Sequence, residues 1–465
     1  MSDLDDVFAR LDERFEAHLE LLIDYLRQPS ISAQNVGMGE AARLAAGHLV
    51  DRLGMEVELI PTAGYPMVLG KSPRVDGPTV LVYGHYDVQP PEPVEAWTSP
   101  PFSPQVRDGR LYARGAGDNK GQHFAHILAL EALRETHGRL PCNVLFLLEG
   151  EEEVGSPNLR PFLKTHADAL GADLVVISDG PLHESGASVI CFGNRGFLSF
   201  ELHAKTARRD AHSGLFGGVM PNAAWALVHA LASMRDRDGR LTVEGLLDGV
   251  EPPAPAERAA ADIFPVDVEA VQRELGLTHL DQPKDRPFAD RLMFHPTLTI
   301  NGISGGYAGR GSKAVIPAQA IAKCDIRLVA GMEPEHVFAC LERHVARHAE
   351  DVEVVRGQGT PVARTPLDHP WAGALREAIV RARGAEPLLQ PMLGATLPTA
   401  AFQSVLGLPT FLVPFANADE ANHAPDENLK IACFRDGIRT AAAIYVSIGA
   451  AGRVPDPVPQ ASRQV

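Results

Sequence analysis

The sequence predicts an α/β fold whose sheet is covered by helices on both faces, with a second, α+β domain inserted into the chain. Three observations carry this. The apolar runs "TVLVYGHYDV" (79–88), "NVLFLLEG" (143–150) and "DLVVISDG" (173–180) do not alternate, so they read as strands buried on both sides. The segment "GQHFAHILALEALRETHG" between the first two has helical periodicity and closes on Gly138. From about residue 190 to 357 the candidate strands become short or alternating, as in "FLSFELHAK" and "AIAKCDIRLV", and the Pro- and Ala-rich "EPPAPAERAAADIFP" interrupts them.

In chain order, Phe8, Leu11, Phe15, Leu19, Leu22 and Leu26 recur at helical spacing, which predicts an amphipathic helix over residues 4–27. The three strands and their helix follow. In the insert, "NGISGGYAGRGSKAVIP" (301–317) is glycine-rich, but no helix opens after it and Pro317 follows, so it is not a nucleotide-binding loop. Beyond the insert, "GALREAIVRARG" and "FRDGIRTAAAIYVSIGA" resume the helical pattern around the strand "LPTFLVPF". The tail "RVPDPVPQASRQV" reads as mobile. The expected division is therefore residues 1–189 with 358–465, and an inserted domain over 190–357.

Bulk properties narrow the function. The 465 residues are 45% apolar and 22% charged, ordinary for a soluble globular protein. A formal charge of −16 without a long basic patch argues against nucleic acid as a partner. The five cysteines lie far apart without a CxxC, as expected of free thiols in a reducing compartment. The start, "MSDLDDVFARLDERF", is acidic and unlike a signal peptide, and no apolar stretch approaches the ~18 residues of a membrane span. These features predict a cytoplasmic protein with no membrane partner.

The chemistry sits where the apolar runs end. The first delivers His85 and Asp87, the second Glu152 and Glu153, the third Asp179, and the late strand leads to His423. In an open α/β sheet, ligands bind beyond the carboxyl ends of the strands, so these groups converge on one crevice. Carboxylates gathered there would repel one another, and a divalent cation removes the conflict. Residues two apart on an extended chain face one side, so Asp87 is placed to accept the second ring N–H of His85 and fix its tautomer. Asp118, in "ARGAGDNKGQHFAH", lies in a small-residue turn just before a helix. The plain alternatives are a solvated acidic loop at 149–153 and a helix-capping aspartate at 118.

The motifs "GHYDVQP", "ARGAGDNKG", "LEGEEEVGS", "ISDG" and "NHAPDENL", in this order and spacing, resemble the co-catalytic zinc peptidases of the carnosine dipeptidase, aminoacylase and carboxypeptidase type. The resemblance covers about residues 15 to 450 and points to the dipeptidase-like branch. It implies a catalytic domain built on a central mixed sheet flanked by helices, and an inserted lid and dimerisation domain. By the same resemblance, two divalent ions are implied, zinc first with manganese or cobalt as alternatives. His85 and Asp179 would bind one, Glu153 and His423 the other, and Asp118 both. Glu152 would be the general base, Asp87 the carboxylate behind His85, and the Asp118–Asn119 peptide cis. Glu149 and Glu151 receive no role.

In the insert, "RRDAHSGLFGG" resembles the family's lid motif, which implies that His212 stabilises an oxyanion from the partner subunit of a homodimer. Arg327 matches an arginine that binds a substrate carboxylate, and Asn194 and Arg195 are further candidate lid contacts. Where the dipeptidase branch reads Gly-Gly-Ser-Ile-Pro, this chain has "LGATLPTAAF" (393–402), in which Thr396 keeps a hydroxyl as a substrate contact. Ala314 stands where a hydroxyl residue is common. The expected activity is hydrolysis of dipeptides or short peptides with a free carboxylate. The alternatives are deacylation of an N-acyl amino acid on the same fold and, more remotely, metal binding without catalysis.

Overall fold

A computed structural model describes residues 4–281 and 286–453. The tail read as mobile therefore lies, beyond Arg453, outside the described residues. The chain divides into two compact units, one of Met1–Phe192, Thr365–Gln390 and Ala401–Val465, the other of Gly193–Arg364 and Pro391–Ala400.

The first unit is built on an eight-stranded sheet in the order Glu56–Ile60, Met67–Lys71, Asn143–Glu149, Thr79–His85, Leu174–Ile177, Thr410–Leu412, Val189–Cys191, Leu388–Gln390. The middle four strands run parallel, and antiparallel pairs occur towards both edges, so the sheet is mixed. Parallel order puts the carboxyl ends of the four middle strands on one side. That is where an α/β sheet collects ligands. Apart from the half-buried first residues Thr79 and Asn143, these strands are buried throughout, as their unbroken apolar sequences require.

The helix Lys120–His137 packs against Ile431–Ala451 and Met38–Leu53, and Gly138 ends it in a left-handed conformation at φ 72°. Its first fourteen residues, Lys120–Leu133, are all buried, far more than an amphipathic stripe would be. The N-terminal helix expected over 4–27 is two helices, Asp5–Glu13 and Phe15–Leu26, broken at Arg14. There φ −100° and ψ 5° leave the helical range, while the guanidinium reaches Glu135 at 2.6 Å.

The second unit carries a four-stranded antiparallel sheet, Thr297–Gly305, Gln319–Leu328, Gly196–Lys205 and Val352–Thr360. Burial alternates along Gly196–Lys205, and the helices Ala223–Met234 and Pro334–His348 cover the buried face. Its core includes Leu198, Phe200, Leu227, Ile326 and Leu341. The short stretch Pro391–Ala400 belongs to this unit although it lies beyond the insert in sequence.

Candidate metal centre

The five residues expected to hold metal all lie in the first unit and form two groups of converging ligand atoms. His85, Asp118 and Asp179 make one; Asp118, Glu153 and His423 make the other. His85 closes the strand Thr79–His85, and Asp179 follows Leu174–Ile177 by two residues. Glu153 lies in a single turn of 3-10 helix, Glu152–Val154, just past the strand Asn143–Glu149. Asp118 precedes the helix that starts at Lys120, and the Asp118–Asn119 peptide is cis. The approach of that turn to the sheet depends on Gly84, where a Cβ would stand 2.9 Å from Asn119 Oδ1.

The Asp118 carboxylate is divided between the groups. Its Oδ1 lies 3.0 Å from His85 Nε2 and its Oδ2 3.1 Å from His423 Nε2. Asp179 Oδ2 is 3.6 Å from His85 Nε2, and Glu153 Oε2 is 3.2 Å from His423 Nε2. Further hydrogen bonds orient the carboxylates. Asn422 Nδ2 donates to Asp118 Oδ2 at 2.9 Å, Gln89 Nε2 to Glu153 Oε2 at 2.8 Å, and the Gly180 N–H to Asp179 Oδ1 at 2.7 Å.

The state of His85 tests whether a cation fits. Its ring is fully buried, and Nδ1 lies 3.1 Å from the main-chain oxygen of Asp87, an acceptor that keeps the ring proton on that nitrogen. Nε2 then turns its lone pair towards two carboxylates and has no hydrogen-bond partner. With the ring neutral, a lone pair facing two negative oxygens is repulsive until a positive charge, a proton or a metal ion, lies among them, and a metal ion can satisfy both carboxylates at once. The donor set of imidazole and carboxylate suits zinc, and also manganese or cobalt.

The sequence-based expectation for Asp87 is modified in one respect. The shorter contact of His85 Nδ1 is to the Asp87 main chain; the carboxylate Oδ1 lies at 3.4 Å. That carboxylate instead accepts from the main-chain N–H groups of Glu152 at 3.3 Å and Glu153 at 3.1 Å. Asp87 thus ties the His85 strand end to the glutamate turn.

Electrostatics agree with a site missing positive charge. Burial, reinforced by neighbouring carboxylates, pushes Glu152 well above the carboxylate range and Glu153 up to about 7; burial and Asp118 also raise Asp179. Burial opposes ionisation of Asp118 too, but His423 and His85 outweigh it and hold that carboxyl low. Asp118 and Glu153 raise His423 to about 10. Burial would lower His85, yet Asp118, Asp179 and Asp87 hold it well above its ordinary value.

The remaining candidates lie in the second unit. Arg327 Nη1 donates to Thr396 Oγ1 at 2.8 Å, and that hydroxyl donates to the Arg195 main-chain oxygen at 2.8 Å, so these two candidates adjoin. Asn194 is fully buried; its Oδ1 accepts from Thr399 and its Nδ2 donates to the Arg195 oxygen at 3.0 Å. Its amide is spent on bracing the stretch 391–400. His212 is exposed and accepts the Gly214 N–H at Nδ1, 2.9 Å away, which caps the turn Ser213–Phe216.

Two carboxylates without an expected role prove structural in placement. Glu149 is fully buried and accepts from Tyr83 Oη at 2.7 Å and from Ser156 Oγ, joining both ends of the glutamate turn. Glu427, also fully buried, accepts the main-chain N–H groups of Gly115, Gly117 and Asp118 at 3.0, 3.0 and 3.1 Å. Among the described residues no helix is long and apolar enough to cross a membrane.

Comparison with known proteins places the chain in a family. The sequence profile of peptidase family M20/M25/M40 matches residues 81–447. The chain is 32% identical to the human Beta-Ala-His dipeptidase over 384 residues, 80% of this chain and 75% of the relative. It is 30% identical to the Cys-Gly metallodipeptidase of Schizosaccharomyces pombe over 385 residues, 80% and 81% of the two chains. The crystal structure of a M20 family metallo-carboxypeptidase from Sulfolobus solfataricus superposes with a TM-score of 0.88 at 32% identity, covering 93% of this chain and 99% of that one.

Proposed function

The chain belongs to peptidase family M20/M25/M40, and from that premise we propose that it is a metal-dependent hydrolase of dipeptides, using a dinuclear centre on the first unit. The observation that carries this is the pair of ligand groups sharing Asp118, with the bare Nε2 of His85 facing two carboxylates. The relatives named for dipeptides favour a dipeptide over an N-acyl amino acid.

His85 and Asp179 would hold one ion, Glu153 and His423 the other, and Asp118 both. Zinc is the proposed metal. When bound, such a pair polarises a carbonyl and brings the pKa of a water to ~7. Glu152 is the proposed general base: it takes a proton from the attacking water and hands it to the leaving amine, a group that needs a proton as the C–N bond breaks. Asp87 keeps the glutamate turn and His85 in register.

Arg327 is the proposed clamp for the substrate carboxylate, since its planar fork matches that group, and Thr396 is proposed beside it. His212 is proposed as oxyanion donor in a homodimer. Supporting a dimer, the second unit exposes Leu215, Val219 and Trp225 at 75%, 81% and 61% of their surface, large apolar side chains near one another in sequence. A reducing, cytoplasmic setting is proposed from five cysteines that are all free.

The test is turnover of unblocked dipeptides against N-acetyl and N-succinyl amino acids, with metal-free protein reloaded with zinc, manganese or cobalt. Dipeptide hydrolysis restored by one of the metals is expected. Rapid deacylation without dipeptide turnover would overturn the reading.

A further inference from the structure

The second unit contains a cavity of about 440 Å³ whose lining is unlike the rest of this acidic chain. Arg235, Arg240, Arg286 and Arg291 contribute to it, with His295, and among the described residues of the wall Asp281 is the only carboxylate. None of these residues belongs to the metal centre or to the proposed substrate clamp. In a protein of net charge −16, four guanidinium groups around one hollow are a local reversal of sign.

The charges are only partly answered. Asp281 Oδ2 takes Arg235 Nη2 at 2.6 Å, and Arg240 Nη1 reaches Asp238 at 3.0 Å on the surface. Asp290, behind the wall, accepts from His295 Nε2 at 2.9 Å and from Arg258. Arg286 Nη1 lies against both ring nitrogens of His295, 2.8 Å from Nδ1 and 2.5 Å from Nε2, and burial together with this guanidinium holds the imidazole below its ordinary value. Arg286 has no carboxylate partner among the described residues, and most of its five N–H donors are left for something else.

The other side of the cavity is apolar. Leu241, Leu247, Pro296 and Leu298 line it, and Leu247 is 46% exposed. A hollow with a cationic end and an apolar wall, at the volume of small-molecule sites, selects a ligand with the same division. Guanidinium forks match phosphate oxygens two at a time.

We propose that this cavity binds a phosphorylated small organic molecule, its phosphate held by Arg286 and Arg240 and its body laid on Leu247 and Leu298. The site is separate in residues from the dipeptide chemistry and does not depend on it. A mononucleotide is of suitable size and charge to serve as a probe, and chelates metal weakly enough to be used on the metal-loaded enzyme.

Isothermal titration of the metal-loaded protein with adenosine 5′-monophosphate, inorganic phosphate and adenosine tests the proposal at low salt. The expected order is the nucleotide tightest, phosphate weaker, and adenosine without measurable binding. Arg286→Ser, at an exposed position, should weaken nucleotide binding at least tenfold while dipeptide turnover, which reports an intact fold, is unchanged. Arg240→Ser should weaken it as well, and the affinity should fall as salt is raised. Absence of saturable binding by both nucleotide and phosphate would overturn the proposal. So would binding that is undiminished in both variants, which would locate the ligand elsewhere.

Discussion

Glu427 holds Asp118 by its main chain: the glutamate accepts the Asp118 N–H at 3.1 Å, and those of Gly115 and Gly117 at 3.0 Å, while Arg114 Nη1 pairs with it at 2.7 Å. Glu427 and Arg114 are both buried, so the pair is strained by desolvation and stabilised by its hydrogen bonds. Glu427→Leu would leave a buried guanidinium and three N–H groups unanswered. A loss of about 3–5 kcal/mol in stability is expected, with metal content below that of the parent. Glu427→Gln, which keeps an acceptor, should lose less. Thermal denaturation and metal analysis of the two variants check this, and equal behaviour of both would contradict it.

Glu152→Gln keeps the shape of the side chain and removes its basicity. Turnover should drop by roughly 10²–10⁴-fold, with metal content and KM little changed. Stopped assays on one dipeptide at several concentrations separate kcat from KM. Undiminished kcat would exclude Glu152 as the base.

Metal removal should lower stability, because Glu152, Glu153, Asp179 and Asp118 then share a closely packed site with only His85 and His423 to offset their charge. Chelated protein should melt at a lower temperature than reloaded protein. At a free metal concentration a thousandfold above Kd, the difference corresponds to about 4 kcal/mol for each ion bound. A melting temperature indifferent to chelation would contradict the two ligand groups.

Arg327→Ala should raise KM for dipeptides with a free carboxylate. Loss of a charge-assisted hydrogen bond of about 1.5–3 kcal/mol corresponds to roughly 10- to 150-fold. Dipeptide amides, which lack that carboxylate, should be hydrolysed equally by parent and variant. A penalty of the same size on both substrates would place Arg327 away from the carboxylate.

Acid should destabilise the metal-loaded protein through two histidines that are not among the ligands. Burial lowers His18 to about 4 and His126 to about 3, against an ordinary value of 6.5. Below pH 6.5 the unfolded chain takes up protons that the folded one refuses, so stability falls as pH drops towards 4 and further towards 3. His126 bonds Tyr445 and Ser178 at 2.8 Å on either ring nitrogen; Ser178 Oγ donates to the Val413 oxygen and so accepts from Nε2, and protonation would require the Tyr445 hydroxyl to turn from donor to acceptor. Denaturant midpoints between pH 7 and 4 should decline, and His18→Gln should flatten the slope. An unchanged slope would show that His18 is not a source of it.

The convergence of the candidate ligands was legible wherever such a side chain ends an apolar run, because strand order then dictates where it points. His85, Glu153 and Asp179 are of this kind. Glu149 and Glu151 were not legible: within an acidic run they read as solvated, whereas burial of the strand end draws Glu149 inward and the half-buried Asn158 donates to Glu151 at 2.7 Å. Glu427 lies inside a recognised motif, yet its partners are main-chain groups about 310 positions away, which no local pattern encodes. The same distance hid the return of Pro391–Ala400 to the second unit. The break at Arg14 escaped because the apolar spacing runs through it undisturbed.

One carboxylate with an oxygen turned to each histidine couples the loading of the two positions. Whatever fills the first draws charge from the same three atoms that the second requires, and also cancels the repulsion that the second would otherwise meet. Titration with metal should therefore give a binding isotherm that two independent sites cannot reproduce, and damage at His85 should be felt at His423.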